Sequence, residues 1–266
     1  MSCNLYLLFI SIFFLLSHIT KGQDVLITRG HSHNDYEQDR PLSDALALGY
    51  TSIEVDIHPK KSELKVSHIR FRLKSKKTLE ELYLNPLDSI IEKNNGRVFS
   101  IDSTTLVLMI DFKTRKKKAL DLLVNLLDTY KHNFYTRENG VDKWGPVQIL
   151  LSGNPPLKKL EELKIPYFFI DGRVDTKYTP YISSMITRVS LPMKKVLTLA
   201  PNDNRTKLHN LIKLTQSNNQ KLRLWSVPNN VETWEKLIES ELDFISVDDL
   251  EDFATFYKRK LSNTTP

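Results

Sequence analysis

Cysteine is almost absent from this 266-residue chain: its one cysteine, Cys3, lies in the N-terminal segment. Disulfides, a thiolate nucleophile and a cysteine-built zinc site are therefore excluded from the remainder. Glycine-rich signatures are missing as well. There is no P-loop, no dinucleotide fingerprint and no Gly-x-Ser-x-Gly elbow, which removes three large enzyme classes. The long apolar run is confined to Leu5–Leu16. About a dozen residues is short for a bilayer span and fits the core of a secretory signal. Residues 1–22 are read as that signal, with Thr20 and Gly22 ahead of a cut before Gln23, although no Lys or Arg precedes the apolar core. The mature chain, 23–266, is then a cysteine-free extracytoplasmic domain, long enough to be held by its own core. No internal repeat, low-complexity tract or linker divides it, so one domain, as a monomer, is expected.

What is present is ordinary in bulk: 40% hydrophobic and 26% charged residues, which argue against both disorder and a membrane bundle. The formal charge of +6 is concentrated in part at Lys60, Lys61, Lys65, Arg70, Arg72, Lys74, Lys76 and Lys77. Such a patch suits an anionic surface such as a membrane, or is simply a solvated basic face. Phe71 and Tyr83 are too few as neighbouring aromatics for a stacking platform, so no nucleic-acid partner is expected.

Apolar β-type runs alternate with helical patterns along the mature chain. The runs are Val25–Arg29, Thr51–Ile57, Leu106–Phe112, Val147–Leu151, Tyr167–Ile170, Ile186–Leu191, Leu222–Val227 and Phe244–Val247. Helical patterns fall at Pro41–Leu48, Leu79–Lys93, Lys116–Tyr130, Leu157–Leu163, Lys207–Thr215, Val231–Ser240 and Leu250–Lys260, and a small extended piece at Leu64–Val66. Strands alternating with helices imply parallel pairing with helices outside. The count and length suit a (β/α)8 TIM barrel, with a doubly wound open sheet as the alternative.

Polar residues recur at the ends of these runs, where barrel enzymes carry their chemistry: His31 and His33, Glu54 and Asp56, Asp111 and Lys113, Ser152 and Asn154, Asp171 and Arg173, Trp225, and Asp248. Residues two apart on a strand share a face. Glu54 and Asp56, joined by Asp111, therefore suit a hard oxygen-preferring cation, Mg²⁺ or Ca²⁺. His31 and His33, with His68 after the next short run, supply imidazoles for general acid and base work. Lys113 is placed for an anion. An amidohydrolase would need further histidines at later strand ends, and His132 and His209 fall in a helix end and a helix.

Gly30-His31-Ser32-His33-Asn34-Asp35-Tyr36, Ser52-Ile53-Glu54-Val55-Asp56 and Val66-Ser67-His68 resemble the phosphatidylinositol phospholipase C-like phosphodiesterase superfamily. Within it the chain is most similar to glycerophosphodiester phosphodiesterase-like proteins of the altered-inheritance-of-mitochondria protein 6 group. Ile110-Asp111-Phe112-Lys113-Thr114, Leu151-Ser152-Gly153-Asn154-Pro155, Asp171-Gly172-Arg173, Leu224-Trp225-Ser226-Val227-Pro228 and Phe244-Ile245-Ser246-Val247-Asp248 agree, and the series is similar to that of sphingomyelinase D. The resemblance implies a barrel and one divalent cation on Glu54, Asp56 and Asp111. It implies catalytic His31 and His68, and substrate contacts from His33, Asn34, Lys113 and Trp225. It departs from the family where His31-Ser32-His33 replaces His-Arg-Gly, where no Pro-Glu-Asn-Thr segment occurs, and where Ile69 follows His68. The implied activity is hydrolysis of a glycerophosphodiester or (lyso)phospholipid; the alternative is a non-catalytic binder of anionic lipid or glycan on the same barrel.

Overall fold

The computed structural model describes residues 25–69, 76–114, 116–196 and 201–263, with backbone alone at 201–205. The segment read as a signal, Arg70, Arg72 and Lys74 of the basic patch, and the neighbouring Phe71 lie outside the described residues. Among the described residues nine strands make one sheet in the order β1-β11-β10-β9-β8-β7-β4-β2-β3, and a further β1–β2 pairing closes it. Eight of them run parallel around the barrel: β1 (Gly30–Ser32), β2 (Ser52–Lys60), β4 (Leu106–Phe112), β7 (Val147–Gly153), β8 (Phe168–Gly172), β9 (Ile186–Pro192), β10 (Lys221–Trp225) and β11 (Phe244–Val247). The ninth, β3 (Glu63–Val66), is the antiparallel return of a hairpin from β2. The barrel expected from the alternating pattern is the one observed.

The first strand differs from its sequence expectation. Over Val25–Arg29 there is a single bridge, Ile27 to Tyr50, and continuous pairing begins at Gly30, where β1 meets both β11 and β2. Gly30 is required there. A Cβ would fall 2.7 Å from Ile27 Cγ2 and from Tyr50 Cε1, and 2.8 Å from Phe253 Cε1. The apolar lead-in thus packs beneath the strand rather than forming it.

Helices follow the strands outside the barrel. They are α1 (Ser43–Leu48), α2 (Asn85–Lys93), α3 (Lys116–Leu127), α4 (Leu157–Leu163), α5 (Pro180–Met185), α6 (Pro201–Ser217), α7 (Val231–Glu239) and α8 (Leu250–Ser262). A wide π turn at Glu80–Leu84 leads into α2. Pro86 in the first turn of α2 explains it, because proline has no N–H to give and its ring crowds the carbonyl four residues back. One α-helix and one hairpin among the described residues have no counterpart in the sequence reading. One is α5, whose Thr179 cap accepts from Ile182 N–H. The other is the hairpin β5 (Thr136–Glu138) to β6 (Val141–Lys143), turned by Asn139 and Gly140, both at positive φ.

Candidate active site

Strand register assembles the acidic cluster. In the parallel β2–β4 ladder Asp56 lies directly beside Asp111, and Glu54 sits two residues below Asp56 on the same face. Ligand atoms of Glu54, Asp56 and Asp111 all lie within 4.8 Å of one another, and all three residues are buried. Gly153, at the end of β7, makes room: a Cβ there would stand 2.6 Å from Asp111 Oδ1, and its φ of +74° suits glycine.

Three carboxylates at this spacing need counter-charge. Burial pushes the Asp111 carboxyl up to about 6; Lys113 opposes this, and the charges of Glu54 and Asp56 add to it. The Lys113 ammonium stands 3.1 Å from both Asp56 Oδ2 and Asp111 Oδ1. Burial lowers its pKa, but Asp111 and Asp56 outweigh that and leave it raised. Asp56 Oδ2 is crowded with donors: the Tyr36 hydroxyl at 2.7 Å, His68 Nδ1 at 3.0 Å and Lys113. Its other oxygen, Oδ1, is buried with no partner among the described residues. An all-oxygen donor set with an orphaned carboxylate oxygen fits a hard divalent cation. Glu54, Asp56 and Asp111 could hold one.

Two histidines reach the rim. His68 is 56% exposed and carries Nδ1 on Asp56; His33 is 29% exposed and carries Nδ1 on Asp248 Oδ1 at 2.7 Å. Burial lowers the His33 pKa, but the hydrogen bond to Asp248 and the charge of Glu54 outweigh it, and the net shift is upward. Neither ring hydrogen-bonds through Nε2 among the described residues.

His31, expected beside the reacting group, lies one layer lower. It is fully buried, with Nδ1 2.7 Å from Ser52 Oγ and Nε2 3.0 Å from Glu54 Oε2. Burial and the nearby Arg223 charge hold its pKa well below the usual imidazole value, so the ring is neutral. Asn34 is tied in through Tyr36, whose hydroxyl lies 3.0 Å from the Asn34 side-chain oxygen. Trp225 ends β10 with its side chain open to solvent. Asp248 also borders an open cleft of about 560 Å³ whose wall includes Glu37, Asp39, Asp249 and Glu251.

Sequence reasoning passed over four participants: Tyr36, Ser52, Arg188 and Arg223. Arg188 and Arg223 carried a signal, since each interrupts an otherwise apolar strand and yet is buried.

The AIM6-like phosphodiesterase domain matches residues 19–170, more than half of the chain and all of the acidic cluster. The chain belongs to this family. Relatives within it include altered inheritance of mitochondria protein 6 of Eremothecium gossypii, 27% identical over 91% of this chain and 72% of its own length. The homologue from Arthroderma benhamiae is 28% identical over 84% of each chain. Solved structures share the barrel. A glycerophosphodiester phosphodiesterase from Parabacteroides distasonis has a TM-score of 0.56 at 16% identity, covering 87% of this chain and 98% of its own. A phosphodiesterase from Oleispira antarctica, in complex with the product sn-glycerol-3-phosphate, has a TM-score of 0.53 at 11% identity over 86% and 96%.

Proposed function

We propose that the chain is a secreted phosphodiesterase acting on a glycerophosphodiester or (lyso)phospholipid by histidine acid–base catalysis beside one Mg²⁺ or Ca²⁺. The observation that carries this reading is the convergence at one barrel mouth of the buried acidic triad and two imidazole–carboxylate pairs, His68–Asp56 and His33–Asp248. A bound cation would neutralise charge on the phosphoryl oxygens. Lys113, already beside the triad, adds fixed positive charge where the transition state gains negative charge.

Each rim imidazole has Nδ1 committed to a carboxylate and Nε2 directed away from it, so one ring takes the proton of the attacking oxygen and the other supplies one to the leaving oxygen. An attacking substrate hydroxyl gives a cyclic phosphate; attacking water gives the monoester. On this reading His31 holds Glu54 rather than exchanging protons with substrate, because both its nitrogens are engaged below the mouth. Asn34 and Trp225 flank the mouth as substrate contacts. The apolar run Leu5–Leu16 supports secretion, and the product bound in the Oleispira antarctica protein supports a glycerol-bearing substrate.

Phosphorus NMR of the purified protein with mixed glycerophosphodiesters and lysophospholipids, first with Mg²⁺ and then with chelator, tests the reading. Product signals that vanish with chelator are expected, and His68→Ala should lower kcat by about 10²- to 10⁴-fold. A fully active His68→Ala, or turnover indifferent to chelator, would overturn it. An unchanged spectrum with every substrate would favour a non-catalytic binder of anionic lipid or glycan.

A further inference from the structure

Two arginines occupy the interior of a barrel of a type usually filled by branched apolar side chains. Arg188 projects from β9 and Arg223 from β10; they are 2% and 3% exposed, and neither takes part in the proton transfers above. A buried guanidinium is costly unless its N–H groups find acceptors, so the destinations of those groups are informative. Arg223 reaches across the lumen. Its Nη2 donates to Glu54 Oε2 at 2.6 Å, its Nε to Ser246 Oγ at 2.8 Å, and its Nη1 to Met109 Sδ at 2.7 Å. Arg188 lays its guanidinium over the Phe244 ring, 3.8 Å from the centroid, with Nη1 3.0 Å from Ser52 Oγ and 3.4 Å from His31 Nδ1.

An arginine N–H can only donate, and this fixes the direction of every bond in the chain. Arg188 Nη1 stands 3.4 Å from His31 Nδ1 and can only donate to it, so Nδ1 accepts, and Ser52 Oγ, which accepts from Arg188, gives its own hydrogen to that nitrogen at 2.7 Å. His31 Nδ1 is therefore the acceptor nitrogen, and the hydrogen on Nε2 goes to Glu54 Oε2 at 3.0 Å. Arg223 brings a second donor to that same oxygen. Among the described residues every hydrogen bond to Glu54 ends on Oε2, which leaves Oε1 as the oxygen free to turn towards a cation.

We propose that Arg223 and the Arg188–Ser52–His31 relay are positioning residues that pin Glu54 as an oriented, ionised ligand of the cation site. The inference rests on reading Glu54, Asp56 and Asp111 as that site. Charge alone predicts the opposite outcome, since deleting a nearby cation would tighten binding of another cation. Pinning predicts weaker binding, because Glu54 loses its fixed orientation.

The test titrates Mn²⁺ into the full chain, follows free ion by electron paramagnetic resonance, and reads the His31 ring by nitrogen-15 NMR. Arg223→Met should weaken Mn²⁺ binding by about 10- to 100-fold, the range typical of lost partners to metal ligands. Arg223→Lys, which keeps one donor, should recover part of that loss. Arg188→Met and Ser52→Ala should weaken binding less and convert the His31 signals from one tautomer to a mixture. Unchanged or tighter Mn²⁺ binding in Arg223→Met would overturn the positioning role while leaving the cation site standing. If Arg223→Met does not fold, Ser52→Ala decides, and unchanged affinity with an unchanged ring spectrum overturns the relay. A wild-type chain that binds no Mn²⁺ overturns both the relay and the reading beneath it.

Discussion

His33 and His31 are two residues apart, yet β1 ends at Ser32, so His33 stands in the turn at the rim while His31 is sealed beneath it. The alternation that flags both imidazoles is silent about depth, which depends on where β1 begins relative to β2. This is why the sequence points to residues that the fold brings together and is less informative about the depth of each imidazole. Depth also separates their titration. His33 faces Asp248, with the charges of Glu54 and Arg223 further off, and its folded pKa is raised. The Asp248 carboxyl is lowered, first by the hydrogen bond from His33. The sign follows from linkage. The histidine's contribution is complete below its unfolded pKa of about 6.5 and fades as pH rises through the higher folded value; the aspartate's contribution fades as pH falls below about 4. The pair therefore stabilises most between those limits. Urea unfolding of wild type and His33→Asn at pH 5.5 and pH 8.5 should show a gap that narrows at the higher pH. Because the pair is open to solvent, the gap should be at most about 1 kcal/mol. A gap that widens with pH would mean that the His33–Asp248 bond does not form in solution.

At the scale of elements, boundaries were legible where local chemistry sets them and obscure where packing does. Asn230 and Asp249 each accept from the N–H three residues on and start α7 and α8 where the sequence suggests. The start of α1 is different. Ser43 N–H bonds the Pro41 carbonyl at 2.7 Å around Leu42, whose φ of 64° and ψ of −51° describe a strained three-residue turn. A buried carboxylate holds that turn. Asp35 takes the Leu42 N–H at 2.6 Å, the Tyr83 hydroxyl at 2.9 Å and the Ser32 hydroxyl at 2.8 Å, joining β1, α1 and the π turn before α2. Nothing in the local pattern announces this node, since its partners come from three separate segments. Asp35→Ala leaves all three donors without an acceptor and should cost about 2–4 kcal/mol. The urea midpoint should fall accordingly with the m-value unchanged. A cost within 0.5 kcal/mol, the range of an ordinary surface change by rough expectation, would show that water replaces the carboxylate.

For the whole molecule, the barrel was legible because short runs carrying apolar β-type residues recur between helical patterns, and β9 shows how a polar lumen blurs such a run. In β9 the inward positions are Arg188 and Ser190, which face a polar lumen and break the apolar run. The polar lumen itself is a product of closure: only when β1 meets β11 and β2 do Arg223, Glu54 and His31 come together from β10, β2 and β1. The acidic triad joins neighbouring strands β2 and β4, so the cation site proposed there would not exist in the unfolded chain. A ligand that binds only the folded state stabilises it by mass action. A divalent cation at about one hundred times its Kd should therefore add about 2.7 kcal/mol, or roughly 5–10 °C in Tm for a chain of this size. Asp111→Asn provides the control with its own sign. It removes one of three crowded negative charges, so the chelated variant should melt no lower than chelated wild type, and the rise on adding cation should disappear. A variant that keeps the rise would place the cation elsewhere, and one that melts lower without cation would mean that Lys113, bridging Asp56 and Asp111, already offsets their repulsion in full.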